Sequence, residues 1–469
     1  MFKKHAQHPY RPKPQASIAG TSCIREAMAS HRQPQPFFDE VIQRAVGFEI
    51  EIGYTPFRNQ AHRDEMLRQK VPIRHSKYEA FEKDDLLMKG KGFEIRIDVH
   101  TKKQIPYLEI VTIPFDENAT GKEKLQETFP ILKNMMQKLS IMGNKQDNLS
   151  LYSVLNEFGE LIPGCEPMRL QTQTGIESGF FQVTAGVDLS RLPALFQDLA
   201  WPEQDEEPAL AQRRALGRKI FMNWEKEGSE DDIPYLSNAF AFQAINKTLS
   251  GIQKNGLPPD VSEKMTGPVP WTDELVGLLS MIAQYLVLAR RKINGNPKFF
   301  AVLLSRNDFG SLFQRLGTTE KDYFMNNANW FHLLNELIRQ LEIGDIDEPV
   351  YARGIFHGYG ETFASRRYAL NAVTRFNWLM EIPGGKDLLT EKYLPVPEMK
   401  EFFVSMGEFA DRMDTIEADG QKKQVPVFEF RFIKNPIRYD KWEEFALASY
   451  HWIKALNTGA NQKFGETSV

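Results

Sequence analysis

The segment GFEIEIG at residues 47–53 brings two carboxylates close together. Side chains alternate between the two faces of a β-strand, so Glu49 and Glu51 lie on one face about 7 Å apart, and the apolar side chains lie on the other. Carboxylates at this spacing repel each other unless a cation or a raised pKa relieves them. Oxygen ligands of this kind suit Mg²⁺, a hard ion that combines a few carboxylates with waters and phosphate oxygens. The segment therefore predicts part of a magnesium nucleotide site.

Three further segments repeat this division into an apolar and a polar face. They are GFEIRIDVH (92–100), YLEIVTIP (107–114) and VPVFEFRFI (425–433). Their polar faces carry charged side chains that include Asp98, Glu109, Glu429 and Arg431. An antiparallel sheet with one solvated face produces the same alternation, and that interpretation stays open for each strand taken alone. The shortage of Lys, Thr, Ser and Gln on these faces favours a site over a merely solvated surface.

Motifs of other catalytic classes are absent from the sequence. It contains no GxxxxGK[ST] loop, and PGGK at 383–386 lacks the spacing and the preceding strand of a phosphate-binding loop. It contains no HExxH zinc motif, and GIESG at 175–179 places Glu177 where a nucleophile elbow needs a serine. The metalloprotease and serine-hydrolase interpretations are therefore excluded.

Composition limits the class of protein further. The chain has 469 residues, enough for two or three domains, and its net charge of -4 gives no electrostatic reason to bind nucleic acid. Cys23 and Cys165 cannot build a disulfide framework, which favours a reducing compartment. The sequence has neither an apolar signal segment nor a membrane-spanning stretch. We therefore expect a cytoplasmic protein, or one delivered into a target cell without a signal peptide.

Four regions are expected along the chain. Residues 1–38 hold five prolines, six Lys or Arg and one acidic residue, which predicts a flexible basic leader. Strand-like and helical patterns predict a first α+β half at 39–195, and helical periodicity predicts a mainly helical insertion at 196–350. A second α+β half is expected at 351–469.

Helical spacing of apolar residues predicts the helices within these regions. Pro130 is expected to kink or split the first helix, and Asp188 or Ser190 is expected to begin a helix after a strand. The expected helices are 122–139, 207–226, 272–293, 328–342, 363–380, a segment near 397–413, and 440–456.

The order of five segments resembles the carboxylate-amine ligase superfamily, which includes glutamate-cysteine ligase and the amidoligases and is distantly related to glutamine synthetase. The segments are GFEIEIG, RIDVHTKKQIPYLEIVTIP (96–114), GFFQVTAGVDLSRLP (179–193), SRRYALN (365–371) and VFEFRF (427–432). The resemblance implies an α+β fold with an antiparallel sheet of the glutamate-cysteine ligase / glutamine synthetase type. It also implies helices on one face of this sheet. The helical insertion separates the two halves of this fold along the sequence.

The resemblance implies a role for each matching residue. The implied metal ligands are Glu49, Glu51, Glu109 and Glu429. The implied catalytic clamps for phosphate or carboxylate are Arg431 and Arg367, and the implied nucleotide contacts are Glu429 and Arg431. The residues implied to face the substrate are Gln182, Thr184, Asp98 and Asn371. Amidoligases often have two histidines at the positions of Gln182 and Thr184, so this departure leaves the substrate open.

The chemistry implied is an ATP- and Mg²⁺-dependent ligation. ATP phosphorylates a carboxylate, glutamate-like by resemblance and carried by a small molecule or a protein, and an amine then attacks the acyl phosphate to form an amide. Positioning and charge neutralisation dominate phosphoryl transfer, which fits a set of carboxylates and arginines.

Two other functions stay open. The leader and the junction VIQRAVGFEIEIG (41–53) resemble cargo proteins of bacterial contractile injection systems, and NPKFFAVLLSRNDF (296–309) resembles their toxin domains. This resemblance implies an effector whose leader binds delivery machinery. Alternatively, the same fold serves as a non-catalytic module that binds a nucleotide or a peptide.

Overall fold

A computed structural model of the chain describes the predicted strands of the sheet and the helices that pack on them. The described residues are 45–57, 84–99, 106–145, 148–172, 177–200, 217, 233–290, 303–307, 309–325, 327–341, 382–384, 414–418, 421–431 and 436–459. The leader 1–38 and the predicted helices at 363–380 and near 397–413 lie outside these residues, as does the predicted helix 207–226 apart from residue 217.

Within this part of the chain, ten strands form one sheet, and every pairing in it is antiparallel. The strands are β1 (Ala45–Ile52), β3 (Leu86–Gly90), β4 (Phe93–Val99), β5 (Pro106–Thr112), β6 (Phe115–Asp116), β8 (Gly159–Leu161), β10 (Ser178–Gly186), β11 (Leu303–Ser305), β14 (Val427–Arg431) and β15 (Ile437–Arg438). Their order is β11-β14-β10-β1-β5-β4-β3-β8, with β6 pairing β1 and β15 pairing β10. The predicted α+β class with a large antiparallel sheet is confirmed.

In the described part of the chain, two smaller sheets accompany the large one. Their strands are β2 (Tyr54–Phe57), β7 (Leu149–Ser150), β9 (Arg169–Thr172), β12 (Asp414–Ala418) and β13 (Gln421–Val425). The first sheet has the order β2-β9-β7, and the second pairs β12 with β13.

The described helices and turns occupy the segments between these strands. The helices are α1 (Ala119–Gly143), α2 (Leu151–Leu155), α3 (Leu192–Leu199), α4 (Ile233–Asn255), α5 (Pro259–Ser262), α6 (Asp273–Arg290), α7 (Phe309–Phe313), α8 (Thr318–Met325), α9 (Asn327–Gln340) and α10 (Trp442–Thr458). Short 3₁₀ turns span Leu189–Arg191, Ile382–Gly384 and Tyr439–Lys441. None of the described helices is long and apolar enough to cross a membrane.

Alternation along the strands gives the large sheet one apolar face, and two of the described helices pack against it. The Phe48 ring of β1 contacts the Phe129 ring of α1 edge-on, with centroids 5.3 Å apart. The Phe181 ring of β10 contacts Trp442 of α10 in the same way at 5.5 Å. Burial of these rings removes a large apolar area from water and adds edge-to-face attraction. The predicted charged residues lie on the opposite, polar faces of these strands.

Helix α1 continues without a break through Pro130. Of the kink or split predicted at this proline, the split is therefore wrong. Proline removes one backbone hydrogen bond from a helix interior. Burial of one face of α1, which includes Phe129, Leu132 and Met136, stabilises the helix across that position.

The turn after β10 confirms the predicted helix start. The Asp188 carboxylate caps the 3₁₀ turn by accepting a hydrogen bond from the Ser190 backbone N–H at 3.0 Å. Helix α6 of the middle segment packs closely on this turn, since a Cβ added at Gly277 would lie 2.0 Å from the Leu189 carbonyl oxygen. The segment 196–350 also supplies a strand to the large sheet, because β11 pairs with β14 at its edge.

Candidate functional site

Register brings acidic residues of β1 and β5 together on the polar face. Glu51 lies directly opposite Glu109, and Glu49 lies opposite Gln182 of β10. Like charges directly opposite each other in a sheet are destabilising unless a cation or a hydrogen-bond donor offsets them. The pairing therefore concentrates negative charge over the centre of the sheet.

Strand β4 adds a third carboxylate. One carboxylate oxygen each from Glu51, Asp98 and Glu109 lies within 4.8 Å of the others, and we call these three residues the carboxylate group. Glu109 is buried, whereas Glu51 and Asp98 are half-buried. The sequence predicted Glu51 and Glu109 as metal ligands and Asp98 as a substrate contact. The structure brings all three together, and it places Glu49 beside Gln182 instead.

Within the described ranges, two neutral donors contact the carboxylate group. The Gln182 amide Nε2 donates to Glu51 Oε1 at 3.3 Å, and the Tyr107 hydroxyl donates to Asp98 Oδ2 at 2.6 Å. Burial raises the pKa of Tyr107 far above its usual range, and the negative charges of Glu51 and Asp98 raise it further. Tyr107 therefore keeps its proton and orients Asp98 as a hydrogen-bond donor.

Sequence reasoning did not select Tyr107, although its position was open to prediction. Tyr107 lies two residues before Glu109 on one strand, so period-2 alternation places both side chains on the same face. Asp98 is the direct cross-strand partner of Tyr107. The register between β4 and β5, which the sequence alone does not define, completes this pair.

An arginine lies next to the carboxylate group but bonds elsewhere. Arg96 is the cross-strand partner of Glu109, yet its Nε and Nη2 atoms donate to Glu94 Oε2 at 2.9 and 2.6 Å. Glu94 is buried, so this ion pair compensates its desolvated charge. The pair fixes one border of the carboxylate group.

The three carboxylates fit a hard divalent cation. Mg²⁺ holds oxygen ligands in octahedral geometry at about 2.1 Å, so two of its ligand atoms lie about 3 to 4 Å apart. Oxygens within 4.8 Å of one another are close to that spacing. The donor set is all oxygen, which suits Mg²⁺ better than the nitrogen and sulfur ligands typical of zinc.

Glu429 lies in a second polar group, away from the first. It pairs in register with Thr184, and its carboxylate forms an ion pair with Arg306, which directly follows β11. Strand spacing and rise place the Glu429 and Glu51 backbones roughly 17 Å apart. One ion cannot bind both residues at that separation. Glu429 is only 1% exposed and Arg306 is 14% exposed, so this ion pair is largely removed from water.

Arg306 was not predicted from the sequence. It follows a strand of only three residues, too short for a clear alternation signal. Its backbone N–H donates to the Val427 carbonyl, and the Asn307 side chain accepts from the Val427 N–H at 2.8 Å. These bonds attach the segment to the edge of β14 and hold the arginine over Glu429.

Three other predicted residues lie on β10 and β14. Gln182 and Thr184 lie on the polar face of β10, and Arg431 is the backbone partner of Gln182 in the register between β10 and β14. The Arg431 side chain, Arg367 and Asn371 lie outside the described residues. Their proposed contacts with substrate and nucleotide stay predictions.

The described part of the chain thus defines an α+β protein with an acidic group on the polar face of a large antiparallel sheet. Comparisons with protein-family models, with curated proteins and with solved structures find no match for this chain.

Proposed function

We propose that this chain is an ATP- and Mg²⁺-dependent ligase that joins a carboxylate to an amine. The observation that carries the proposal is the carboxylate group, whose oxygens lie within 4.8 Å of one another on an antiparallel sheet. The order of the five segments that resemble carboxylate-amine ligases supports the type of reaction and a sheet of the glutamate-cysteine ligase kind. The all-oxygen donor set supports magnesium.

The proposed reaction has two balanced steps. A substrate carboxylate oxygen attacks the γ-phosphorus of ATP, the bond to the bridging oxygen breaks, and ADP leaves. The amine nitrogen then attacks the acyl carbon, the carbon–oxygen bond to phosphate breaks, and the nitrogen loses a proton. The products are an amide, ADP and inorganic phosphate.

The chain's own residues position and neutralise the reacting groups. Glu51, Asp98 and Glu109 would hold Mg²⁺, which supplies positive charge against the phosphate oxygens. Gln182 holds the Glu51 carboxylate by its hydrogen bond, and Tyr107 holds Asp98. Arg431, on the same face as Glu429 by alternation, is the proposed clamp because a guanidinium binds phosphate or carboxylate with two parallel hydrogen bonds.

Trapping with hydroxylamine tests the proposal. The full chain is incubated with Mg·ATP, hydroxylamine as the amine and glutamate as the first carboxylate, followed by other amino acids and dicarboxylates. We expect formation of a hydroxamate together with an equal amount of ADP. Glu51→Gln should abolish both products while leaving the melting temperature unchanged or raised, because the change removes a repelling charge.

The exposed glutamate Glu160 on β8 provides a matched control, since Glu160→Gln removes the same charge far from the carboxylate group. This variant should retain full turnover. Unchanged turnover in Glu51→Gln would contradict the site. Binding of Mg·ATP without hydroxamate or ADP formation for any carboxylate would instead support the non-catalytic binding module. Delivery into a target cell is a separate prediction that depends on the leader 1–38.

A further inference from the structure

The large apolar side chain of Phe180 is exposed on the polar face of the sheet. Phe180 of β10 is 45% exposed, whereas its neighbour Phe181 on the opposite face is 1% exposed. Alternation places Phe180 on the same face as Gln182 and Thr184. The other large hydrophobic side chains that are exposed in the described residues all lie on helices: Ile141, Tyr152, Phe240 and Met325.

Phe180 lies directly beside the carboxylate group. It is the cross-strand partner of Glu51, which in turn is the partner of Glu109. Two strand spacings therefore separate the Phe180 and Glu109 backbones, or about 10 Å. The ring stands on the side of Glu51 that faces away from Asp98 and Glu109, because β10 and β5 flank β1 on opposite sides.

An exposed ring at this position carries a cost that a polar residue would avoid. Apolar surface in water is unfavourable, and a ligand that covers the ring recovers that free energy. The flat π-face of a phenyl ring stacks on any nucleobase, which is neutral and is not repelled by the surrounding carboxylates. The ribose and triphosphate of a nucleotide span the distance between such a ring and a metal bound at the phosphates.

We propose that Phe180 is the platform on which the base of the bound nucleotide stacks while its phosphates meet the metal at the carboxylate group. This inference rests on the proposed function, because it takes Mg·ATP as the ligand. Phe180 contributes to nucleotide affinity and makes no contact with the transferred phosphoryl group.

Calorimetric titration of the full chain in excess Mg²⁺ tests the assignment with two probes. ATP carries the base, whereas inorganic tripolyphosphate offers the same metal-binding phosphates without a base. We expect Phe180→Ala to weaken ATP binding about ten- to hundredfold, the range for loss of one stacked base, and to leave tripolyphosphate affinity unchanged. Phe180→Trp should retain ATP affinity, because the indole ring also stacks. Phe240→Ala, which removes a similarly exposed ring from α4, should change neither affinity.

The outcomes distinguish a failure of the stacking role from a failure of the proposed function. Equal ATP affinity in Phe180→Ala and the natural chain, with tripolyphosphate still bound, would overturn the stacking role alone. An equal loss for both probes would overturn it too, since that pattern indicates damage to the phosphate site. A natural chain that binds neither probe in Mg²⁺ would overturn the proposed function and the stacking role together.

Discussion

The buried hydroxyl of Tyr54 is expected to lower the stability of the fold. Tyr54 is fully buried, and its hydroxyl has no hydrogen-bond partner among the described residues. A buried polar group without a partner loses its hydrogen bonds to water and forms none within the protein. We expect Tyr54→Phe to raise the free energy of unfolding by about 1 kcal/mol at neutral pH. Urea denaturation measures the change.

The same residue predicts a pH dependence. Burial raises the pKa of Tyr54 above its unfolded value of 10.0. Above pH 10 the unfolded chain loses this proton while the folded chain retains it, so stability falls as pH rises, by up to about 1.4 kcal/mol per pH unit. The Tyr54→Phe variant does not lose stability in this way. The difference between its free energy of unfolding and that of the natural chain should therefore increase above pH 10. Tyr323→Phe is the control: it removes a hydroxyl bonded to the Gly267 carbonyl at 2.7 Å and should destabilise the chain at neutral pH.

The ion pair between Glu429 and Arg306 makes a second prediction for single residues. Glu429→Gln leaves a largely buried guanidinium beside a neutral amide, which should cost about 3 kcal/mol of stability. The double variant Glu429→Met with Arg306→Met removes both charges and should recover most of that loss, because apolar replacement of a buried pair is often neutral. Urea denaturation measures the free energy of unfolding of each variant. A double variant that is no more stable than Glu429→Gln would contradict the coupling between these two side chains.

Two glycines in helices make a prediction at the scale of elements. A Cβ at Gly277 of α6 would lie 2.0 Å from the Leu189 carbonyl oxygen, whereas a Cβ at Gly251 of α4 meets no atom within 4 Å. Gly277→Ala should therefore destabilise the chain by about 1–3 kcal/mol through overpacking. Gly251→Ala should stabilise it by about 0.5–1 kcal/mol through helix propensity. Thermal melting compares the two, and a stable Gly277→Ala variant would contradict the close packing of α6 on the turn after β10.

The strands that carry the carboxylate group could be predicted because their signal is local. Alternation within a few residues identifies β1, β4 and β5 and shows which side chains share a face. The grouping of Asp98 with Glu51 and Glu109 could not be predicted, because it depends on register between strands. The pairing of Glu429 with Arg306 was missed for a related reason, since β11 is short and is distant in sequence from β14. Local periodicity defines an element, whereas its partner depends on packing across the whole chain.

The buried apolar side chains make a prediction for the whole molecule. They form one continuous cluster that contains Val46 of β1, Leu278 of α6, Trp330 of α9 and Leu456 of α10. We therefore expect the sheet and the middle segment to unfold together in one cooperative transition. Native-state hydrogen exchange should give the slowest amides of β1 and α6 the same opening free energy, and Gly277→Ala should lower both equally. A lower value confined to α6 in the natural chain would contradict this coupling.

The strand order has a consequence for the chain as it leaves the ribosome. The carboxylate group is complete once β5 has emerged, because β1, β4 and β5 all lie within residues 45–112. At about 5–20 residues per second, β14 follows about 15 to 60 seconds later. Until β10 arrives, one edge of β1 has no native partner. Charged side chains on an open edge discourage pairing with other chains. We therefore expect Glu49 and Glu51 to protect the nascent sheet from aggregation until β10 pairs with β1.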